Sequence, residues 1–142
     1  MASKDIEIWG TTEATVDQVW RLLGDSTSWP SWTPIEQAKI VDHGRDDGLG
    51  EVRTLKTGRV TVKEEIVERR EPQRLSYKLL SGLAVRDYRA DVDLTRRGDT
   101  TEIRWHTTFK PKVPGSGWLY RRALTKATQD FVDGLAERAT RA

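Results

Sequence analysis

The chain has no cysteine, one methionine and two histidines among its 142 residues. The lack of cysteine excludes a disulfide framework and a thiolate metal site. A zinc site built on His43 and His106 would need further ligands in a geometry that the pattern does not offer. The serines lie in no nucleophile-elbow context, and Gly48-Leu49-Gly50 leads into a predicted strand rather than into a phosphate-binding helix. We therefore expect neither a metal nor a bound cofactor.

Long apolar runs and a strong charge imbalance are also missing. No stretch approaches the roughly 18 apolar residues of a membrane-spanning helix, and residues 1–9 lack the apolar core of a signal peptide. The 24 basic and 22 acidic side chains are interspersed and give a net charge of +2, without the basic stripe typical of nucleic-acid modules. We expect a cytoplasmic monomer or weak dimer, a single domain over residues 1–142, with no nucleic-acid partner and no stable membrane insertion.

The chain opens with one predicted strand and two short helical segments. Residues 4–9 alternate polar and apolar side chains, as a half-buried strand does. Thr15, with Gln18 three residues later, forms a capping-box pattern that predicts a helix ending near Gly24. Two prolines then limit residues 26–34 to a turn or a very short helix.

The stretch from residue 37 to residue 109 is rich in period-two alternation and is broken only by short turns, which favours an antiparallel meander. Six strands are predicted here, at 37–43, 50–56, 60–69, 74–80, 85–96 and 101–109. A long helix follows over about 117–140. Its buried stripe is predicted to consist of Tyr120, Leu124, Ala127, Phe131 and Leu135.

This order of elements predicts an α+β fold in which a curved antiparallel sheet of about seven strands wraps around the long C-terminal helix. The two short helices after the first strand would close one end of the sheet. A sheet curled around one helix is hard to fill completely with side chains, so it often leaves an interior cavity. A small-molecule site inside the domain is therefore expected.

Three charged residues stand where the strand alternation asks for apolar ones: Arg53, Glu64 and Arg86. Arg53 and Glu64 lie on strands joined by a tight turn, so their side chains are expected opposite or diagonal to one another. They form either a buried ion pair that fixes the register or a polar pair on a cavity wall that orients a ligand. Arg86 heads an inward row, and it is either a second anchor near a cavity mouth or a side chain that reaches solvent.

Several aromatic side chains fall on predicted inward faces. Tyr77 and Tyr88 need hydrogen-bond partners for their phenols, and they either fill the core or donate to a ligand oxygen. Trp105 is predicted to form apolar cavity wall. Trp29 and Trp32 form either a lid over the cavity entrance or a plug at the end of the sheet.

Short motifs along the chain carry a family resemblance: Val19-Trp20, Trp32-Thr33-Pro34, residues 48–53, Glu64, residues 71–77, Tyr88 and Trp105. With them the chain resembles the polyketide cyclase/dehydrase branch of the START/Bet v 1-like (SRPBCC) superfamily, from about Ile6 to Ala139. The resemblance implies the helix-grip fold. Members of that superfamily include cyclases, hydrolases, hormone receptors, lipid carriers and chaperone activators, so the resemblance does not by itself imply cyclisation.

Two function classes stay open. The first is a module that binds or transports a hydrophobic, partly oxygenated small molecule, lipid- or polyketide-like, in an internal cavity. The second is a polyketide cyclase/dehydratase with Glu64, Arg53 and Tyr77 as candidate catalytic residues. Glu64 would then need a raised pKa, whereas the neighbouring Arg53 is expected to lower that pKa, which favours binding. The predicted ligand contacts are Arg53, Glu64, Tyr77, Arg86, Tyr88, Trp105, Trp32 and Phe131.

Overall fold

The computed structural model describes residues 3–141 and consists of seven β-strands, two α-helices and one 3₁₀ helix. The observed bounds of the predicted strands differ from the predicted ones by three residues or fewer. In chain order the elements are β1 (Lys4–Thr12), α1 (Val16–Leu23), the 3₁₀ helix (Ser26–Ser31), β2 (Gln37–Asp42), β3 (Val52–Thr57), β4 (Val60–Arg70), β5 (Arg74–Ser81), β6 (Val85–Arg97), β7 (Thr100–Pro111) and α2 (Gly117–Ala139).

The strands form one antiparallel sheet in the order β1-β7-β6-β5-β4-β3-β2. From β2 to β7, strands that follow one another in sequence lie side by side, as their short connections require. β1 pairs with β7 from Lys4, opposite Phe109, to Thr12, opposite Thr101. The long helix α2 packs against the sheet, mainly on β1 and β7. The predicted α+β helix-grip architecture is therefore confirmed.

Alternation along the strands separates the core from the outer face. In β7 the side chains of Ile103, Trp105 and Phe109 are fully buried. Arg104 and His106 lie on the opposite face, where they pair with acidic side chains of β1. Each large apolar side chain buried in this way stabilises the fold by about 1.5–3 kcal/mol. The inward rows therefore supply both the stability and the walls of any internal site.

Two short helices close one end of the sheet. The predicted capping box is present, because the Gln18 N–H donates to Thr15 Oγ1 over 3.1 Å and the Thr15 N–H donates to Gln18 Oε1 over 2.8 Å. The 3₁₀ helix begins after its Asp25 cap and buries Trp29. Among residues 3–141, neither these segments nor α2 has the length and hydropathy that spanning a bilayer requires.

The buried face of α2 differs from the predicted stripe. Of the five predicted residues only Leu135 is fully buried, and the four nearer the N-terminus are half-buried. Val132 and Ala139 complete the buried face of the C-terminal half. Gly134 lies against the backbone of Trp32, where an added Cβ would stand 1.8 Å from the Trp32 carbonyl oxygen. The C-terminal half of α2 is thus tightly packed, whereas the N-terminal half faces a space.

The predicted inward orientation of Arg86 is wrong. The register of β6 on β7 shifts between Arg86, which pairs with Lys110, and Arg89, which pairs with Thr108. One extra residue on β6 is therefore accommodated as a β-bulge, and Asp87 within it takes a φ of 50°. The bulge reverses the alternation of the strand before Tyr88. Arg86 is consequently exposed to solvent on the outer face.

Candidate functional site

A cavity of about 160 Å³ lies between the N-terminal half of α2 and the inner face of β3 to β6. Most of its wall is apolar, and the polar groups of Glu64, Tyr77 and Tyr88 meet at one part of it. Within residues 3–141, no three His, Asp or Glu side chains are grouped to hold a metal ion. The principal apolar lining residues are Trp29, Ile35, Leu55, Val62, Leu79, Leu83, Leu124, Ala127 and Phe131.

Arg53 and Glu64 are directly opposite one another in the β3–β4 pairing, as the sequence predicts. The Arg53 Nε and Nη2 atoms both donate to Glu64 Oε1, over 3.2 and 3.0 Å. The exposed fraction is 0% for the Arg53 side chain and 7% for that of Glu64. The two residues therefore form a buried ion pair, in which each charge depends on the other because water cannot replace the lost partner.

The Arg53 guanidinium is held from several sides. It stacks over the rings of Trp29 and Tyr77, 3.9 and 4.8 Å from their centroids. Its Nη1 donates to Ser26 Oγ over 3.2 Å, and the Ser26 hydroxyl donates in turn to Glu51 Oε2 over 2.5 Å. Arg53 is therefore a fixed positive charge behind the cavity wall, and it is absent from the lining itself.

Glu64 lines the cavity, and only one of its two carboxylate oxygens accepts hydrogen bonds from Arg53. Both hydrogen bonds from Arg53 go to Oε1, and Oε2 accepts none from the residues that the structure describes. Burial raises the pKa of Glu64, and the charge and hydrogen bonds of Arg53 lower it by less, so the net direction is upward. Arg53 thus lowers the pKa of this carboxyl as expected, but desolvation outweighs the ion pair and reverses the net direction.

Two phenols stand beside this carboxyl. Trp105 Nε1 donates to the Tyr77 hydroxyl over 3.2 Å, and the Tyr77 and Tyr88 ring centroids are 6.5 Å apart. Burial raises the pKa of Tyr77 and of Tyr88 well above the usual phenol value, with the charge of Glu64 adding to the effect. Both phenols are therefore neutral near pH 7, and each can donate a hydrogen bond to a ligand oxygen.

The aromatic side chains in the cavity wall and directly behind it form a continuous cluster. Trp29 is central, with ring centroids 4.9 Å from Trp32, 5.6 Å from Trp105 and 5.9 Å from Phe131. Trp29 and Trp32 are 0% and 5% exposed, and their indole N–H groups donate to Leu23 O and Ser28 Oγ within the closing helices. Trp29 and Trp32 therefore form a plug at the end of the sheet rather than a lid over the cavity entrance.

The predicted ligand contacts separate into three groups. Glu64, Tyr77, Tyr88 and Phe131 line the cavity. Arg53, Trp105 and Trp32 are buried one layer behind the lining and do not face the cavity directly. Arg86 lies outside on the opposite face. Except at Arg86, the strand phase indicated correctly which strand side chains point inward, but it carried no information on which of them line the cavity.

Some lining residues were missed at the sequence level. Leu83 lies in the short β5–β6 connection, where alternation gives no direction. Thr128 follows Leu124 by four residues, so helical spacing places it on the same face despite its polar side chain. Its hydroxyl donates to the Leu124 carbonyl over 2.7 Å, which leaves the methyl group for the cavity. Helical spacing was the signal that could have found Thr128.

The cavity opens between the β3–β4 turn and the start of α2. Thr57 and Val60 line it and are also exposed, Val60 by 46%. Leu83 and Leu124 approach from the other side of this opening. Gly82 fixes the β5–β6 connection on β4, since an added Cβ would lie 2.4 Å from the Thr61 carbonyl oxygen. The mouth is thus framed by two chain turns and one helix.

An open antiparallel sheet that grips a C-terminal helix over a largely apolar cavity defines a START/Bet v 1-like ligand-binding fold. The family described as "Polyketide cyclase / dehydrase and lipid transport" matches residues 10–140, so the chain belongs to this family. None of the curated proteins matches the chain.

Solved structures of similar fold include enzymes and a protein named only by its superfamily. A START superfamily protein from Mycobacterium smegmatis superposes with a TM-score of 0.83 at 15% identity, over 96% of this chain and 97% of that one. The Zhui aromatase/cyclase from a Streptomyces species gives 0.76 at 17% identity, over 99% and 95%. Norcoclaurine synthase from Thalictrum flavum, solved with dopamine and hydroxybenzaldehyde, gives 0.76 at 16% identity, over 99% and 88%. At these identities the likeness concerns the fold.

Proposed function

We propose that the protein binds or carries a hydrophobic, partly oxygenated small molecule in the cavity beneath the N-terminal half of α2. The observation that supports this proposal is the composition of the wall, which is mostly apolar and in which Glu64, Tyr77 and Tyr88 are the principal polar groups. Apolar walls supply most of the affinity for such a ligand, and a few convergent polar groups orient it. The two neutral phenols donate to a ligand carbonyl or hydroxyl, and Glu64 Oε2 accepts from a ligand hydroxyl.

The size of the cavity restricts the part of the ligand that enters it. Its 160 Å³ are close to the roughly 150 Å³ of an engineered apolar cavity that holds one benzene molecule. Pockets that enclose a drug-sized ligand are about 300–1,000 Å³. The ligand therefore places one ring or a short chain segment inside, and any remaining length extends through the mouth beside Val60 and Leu83.

The test is direct binding with one blocked variant and one matched control. Acetophenone represents a single oxygenated ring, and palmitate represents a chain that extends through the mouth. Leu79→Trp fills the cavity, whereas Leu80→Trp adds the same group one residue along, where the side chain is 44% exposed. We expect calorimetric binding of at least one probe to the wild type and to Leu80→Trp, and loss of at least about tenfold in affinity in Leu79→Trp. Equal binding by both variants would place the ligand elsewhere.

Catalysis of a cyclase/dehydratase type is a second candidate, favoured by the raised pKa of Glu64 beside two phenols. The Glu64 carboxylate would remove a proton from the carbon between two ketone groups of a poly-β-keto chain. The electron pair would move to one carbonyl oxygen, and a neutral Tyr77 or Tyr88 would stabilise the enolate by a hydrogen bond. Arg53, behind the wall, would position Glu64 rather than touch the substrate.

Turnover separates this candidate from simple binding. In a poly-β-keto substrate assay, Glu64→Gln should abolish cyclisation while substrate binding persists, because the amide keeps the shape but cannot act as a base. Glu65→Gln is the matched control, since Glu65 is on the other phase of β4 and pairs with Lys78. Absence of turnover in the wild type, together with binding of the probes, leaves binding as the function.

A further inference from the structure

Three apolar side chains near the start of α2 are exposed on the surface. Trp118, Leu119 and Val113 are exposed by 64%, 55% and 54%. Trp118 is the most exposed of the six tryptophans; the other exposed one, Trp9, stacks with Arg104 on the sheet. Exposed tryptophan and leucine next to one another are unusual on a protein that stays in water. We call these three residues the apolar patch.

The surface around the apolar patch is basic. From residue 110 to residue 129 the sequence contains five Lys or Arg residues and no Asp or Glu. Lys110 and Lys126 pair with acidic residues outside this segment, Asp87 at 3.7 Å and Asp130 at 2.9 Å. The other three, Lys112, Arg121 and Arg122, form no ion pair with residues 3–141.

The basic groups lie close to the apolar ones in space as well as in sequence. Arg122 is four residues after Trp118 and three after Leu119, so helical geometry places its side chain beside both. Lys4 of β1 adds a further charge, because an added Cβ on Gly117 would lie 3.6 Å from its Nζ. The result is an apolar centre with a positive rim.

The apolar patch is connected to the mouth of the cavity. The backbone N–H of Ala84 donates to the Tyr120 hydroxyl over 3.3 Å, and the backbone N–H of Lys112 donates to the Ala84 carbonyl over 3.0 Å. Ala84 follows Leu83, which lines the cavity. A surface that covered Trp118 and Leu119 would therefore lie next to the entrance by which a ligand reaches the cavity.

We propose that this surface docks the protein reversibly on an anionic lipid bilayer, with Trp118 and Leu119 inserted at the headgroup level. Tryptophan prefers the membrane interface, where its apolar ring contacts the lipid and its N–H can donate a hydrogen bond to water. Lys112, Arg121 and Arg122 meet the anionic headgroups, each worth about fivefold in affinity near such a surface. The docking itself rests on the exposed patch, and its use for taking up or releasing a ligand rests on the proposed function.

A second copy of the chain fits this surface less well. Stable protein–protein interfaces bury about 800 Å² on each partner, which three exposed apolar side chains do not supply. In addition, a two-fold symmetric contact through the patch would place the basic rims of both copies close together, where their like charges repel one another. An anionic bilayer has the complementary charge and requires no fixed shape.

The experiment is co-flotation of the full chain with vesicles of phosphatidylcholine alone and of phosphatidylcholine with phosphatidylglycerol. We expect binding to the anionic vesicles, reduced at least about tenfold in the double variant Trp118→Ser/Leu119→Ser and in Lys112→Glu/Arg122→Glu. Matched controls are Trp9→Ser, an exposed indole elsewhere, and Lys39→Glu/Arg96→Glu, the same charge change on exposed residues outside the basic rim. The controls should bind like the wild type.

Several outcomes would overturn the proposal. They are no binding of the wild type to anionic vesicles, equal loss in the controls, equal binding to neutral vesicles, or a wild-type dimer that the Trp118→Ser/Leu119→Ser variant makes monomeric. The cavity variant Leu79→Trp separates this proposal from the function above. If neither ligand probe binds the wild type but both it and Leu79→Trp still float with anionic vesicles, docking stands and the carrier function fails.

Discussion

The two halves of α2 meet the same sheet in different ways. In the C-terminal half Val132 and Leu135 are fully buried, and Gly134 lies directly on the backbone of Trp32. In the N-terminal half Leu124 and Ala127 are half-buried above the 160 Å³ cavity. Because the packed half fixes the position of the helix, the other half can span an open space without collapsing into it. The cavity is thus held open by the end of the helix beyond Phe131, whose residues do not line it.

The Arg53–Glu64 pair lies on the sheet at the border between the packed core and the cavity, since Glu64 lines the cavity and Arg53 does not. Arg53 is enclosed by Trp29, Tyr77 and Ser26 on the packed side, while Glu64 presents one oxygen to the cavity. The aromatic rings and the Ser26 hydroxyl around Arg53 are uncharged, so Glu64 remains its countercharge and each partner is necessary to the other. The border is therefore the place where the largest effects of substitution are expected.

Breaking the pair on one side should have the largest effect on stability. Arg53→Ala leaves Glu64 buried without its countercharge and should lower the free energy of unfolding by about 3–5 kcal/mol, measured by urea denaturation. The double variant Arg53→Met/Glu64→Leu, which replaces both charges by apolar groups, should recover most of that loss. If the double variant has as low a free energy of unfolding as Arg53→Ala, the charges themselves stabilise this part of the core.

The same leucine truncation in each half of α2 gives a sharper comparison. Leu135→Ala opens a new cavity in the packed half and should cost about 3 kcal/mol of unfolding free energy. Leu124→Ala only enlarges a cavity that exists already, at a half-exposed position, and should cost about 1 kcal/mol. Equal losses in the two variants, measured under the same denaturant conditions, would contradict the difference between the halves.

The smallest expected effect is on the pH dependence of stability. Since the folded-state pKa of Glu64 is raised, the folded protein holds this proton to higher pH than the unfolded chain does. Its contribution to stability is therefore present below the unfolded-state pKa and is lost as the pH rises through the folded-state pKa. Glu64→Gln has no such proton, so the stability of the wild type relative to this variant should fall as the pH rises from acid toward neutral. A relative stability that rises instead would show that Arg53 outweighs burial.

Much of the fold and part of the site could be predicted from the sequence. The strand alternation and the turn residues gave all seven strands, and the shared register of Arg53 and Glu64 followed from one tight turn. Arg86 could not be placed, because the single bulge residue Asp87 reverses the phase of β6. The direction of the Glu64 pKa was missed because it depends on how deeply both partners are buried, which a strand pattern does not contain.

The position of a bound ligand can be mapped directly from amide chemical-shift changes by NMR during titration with acetophenone. We predict that the perturbed amides cluster at Leu79, Leu124 and Thr128, around the part of α2 that lies over the cavity. Those of Leu135 and Ala139 in the packed half should remain unchanged. Changes spread evenly along α2, or confined to the outer face of the sheet, would contradict the claim that the ligand lies under the N-terminal half of this helix.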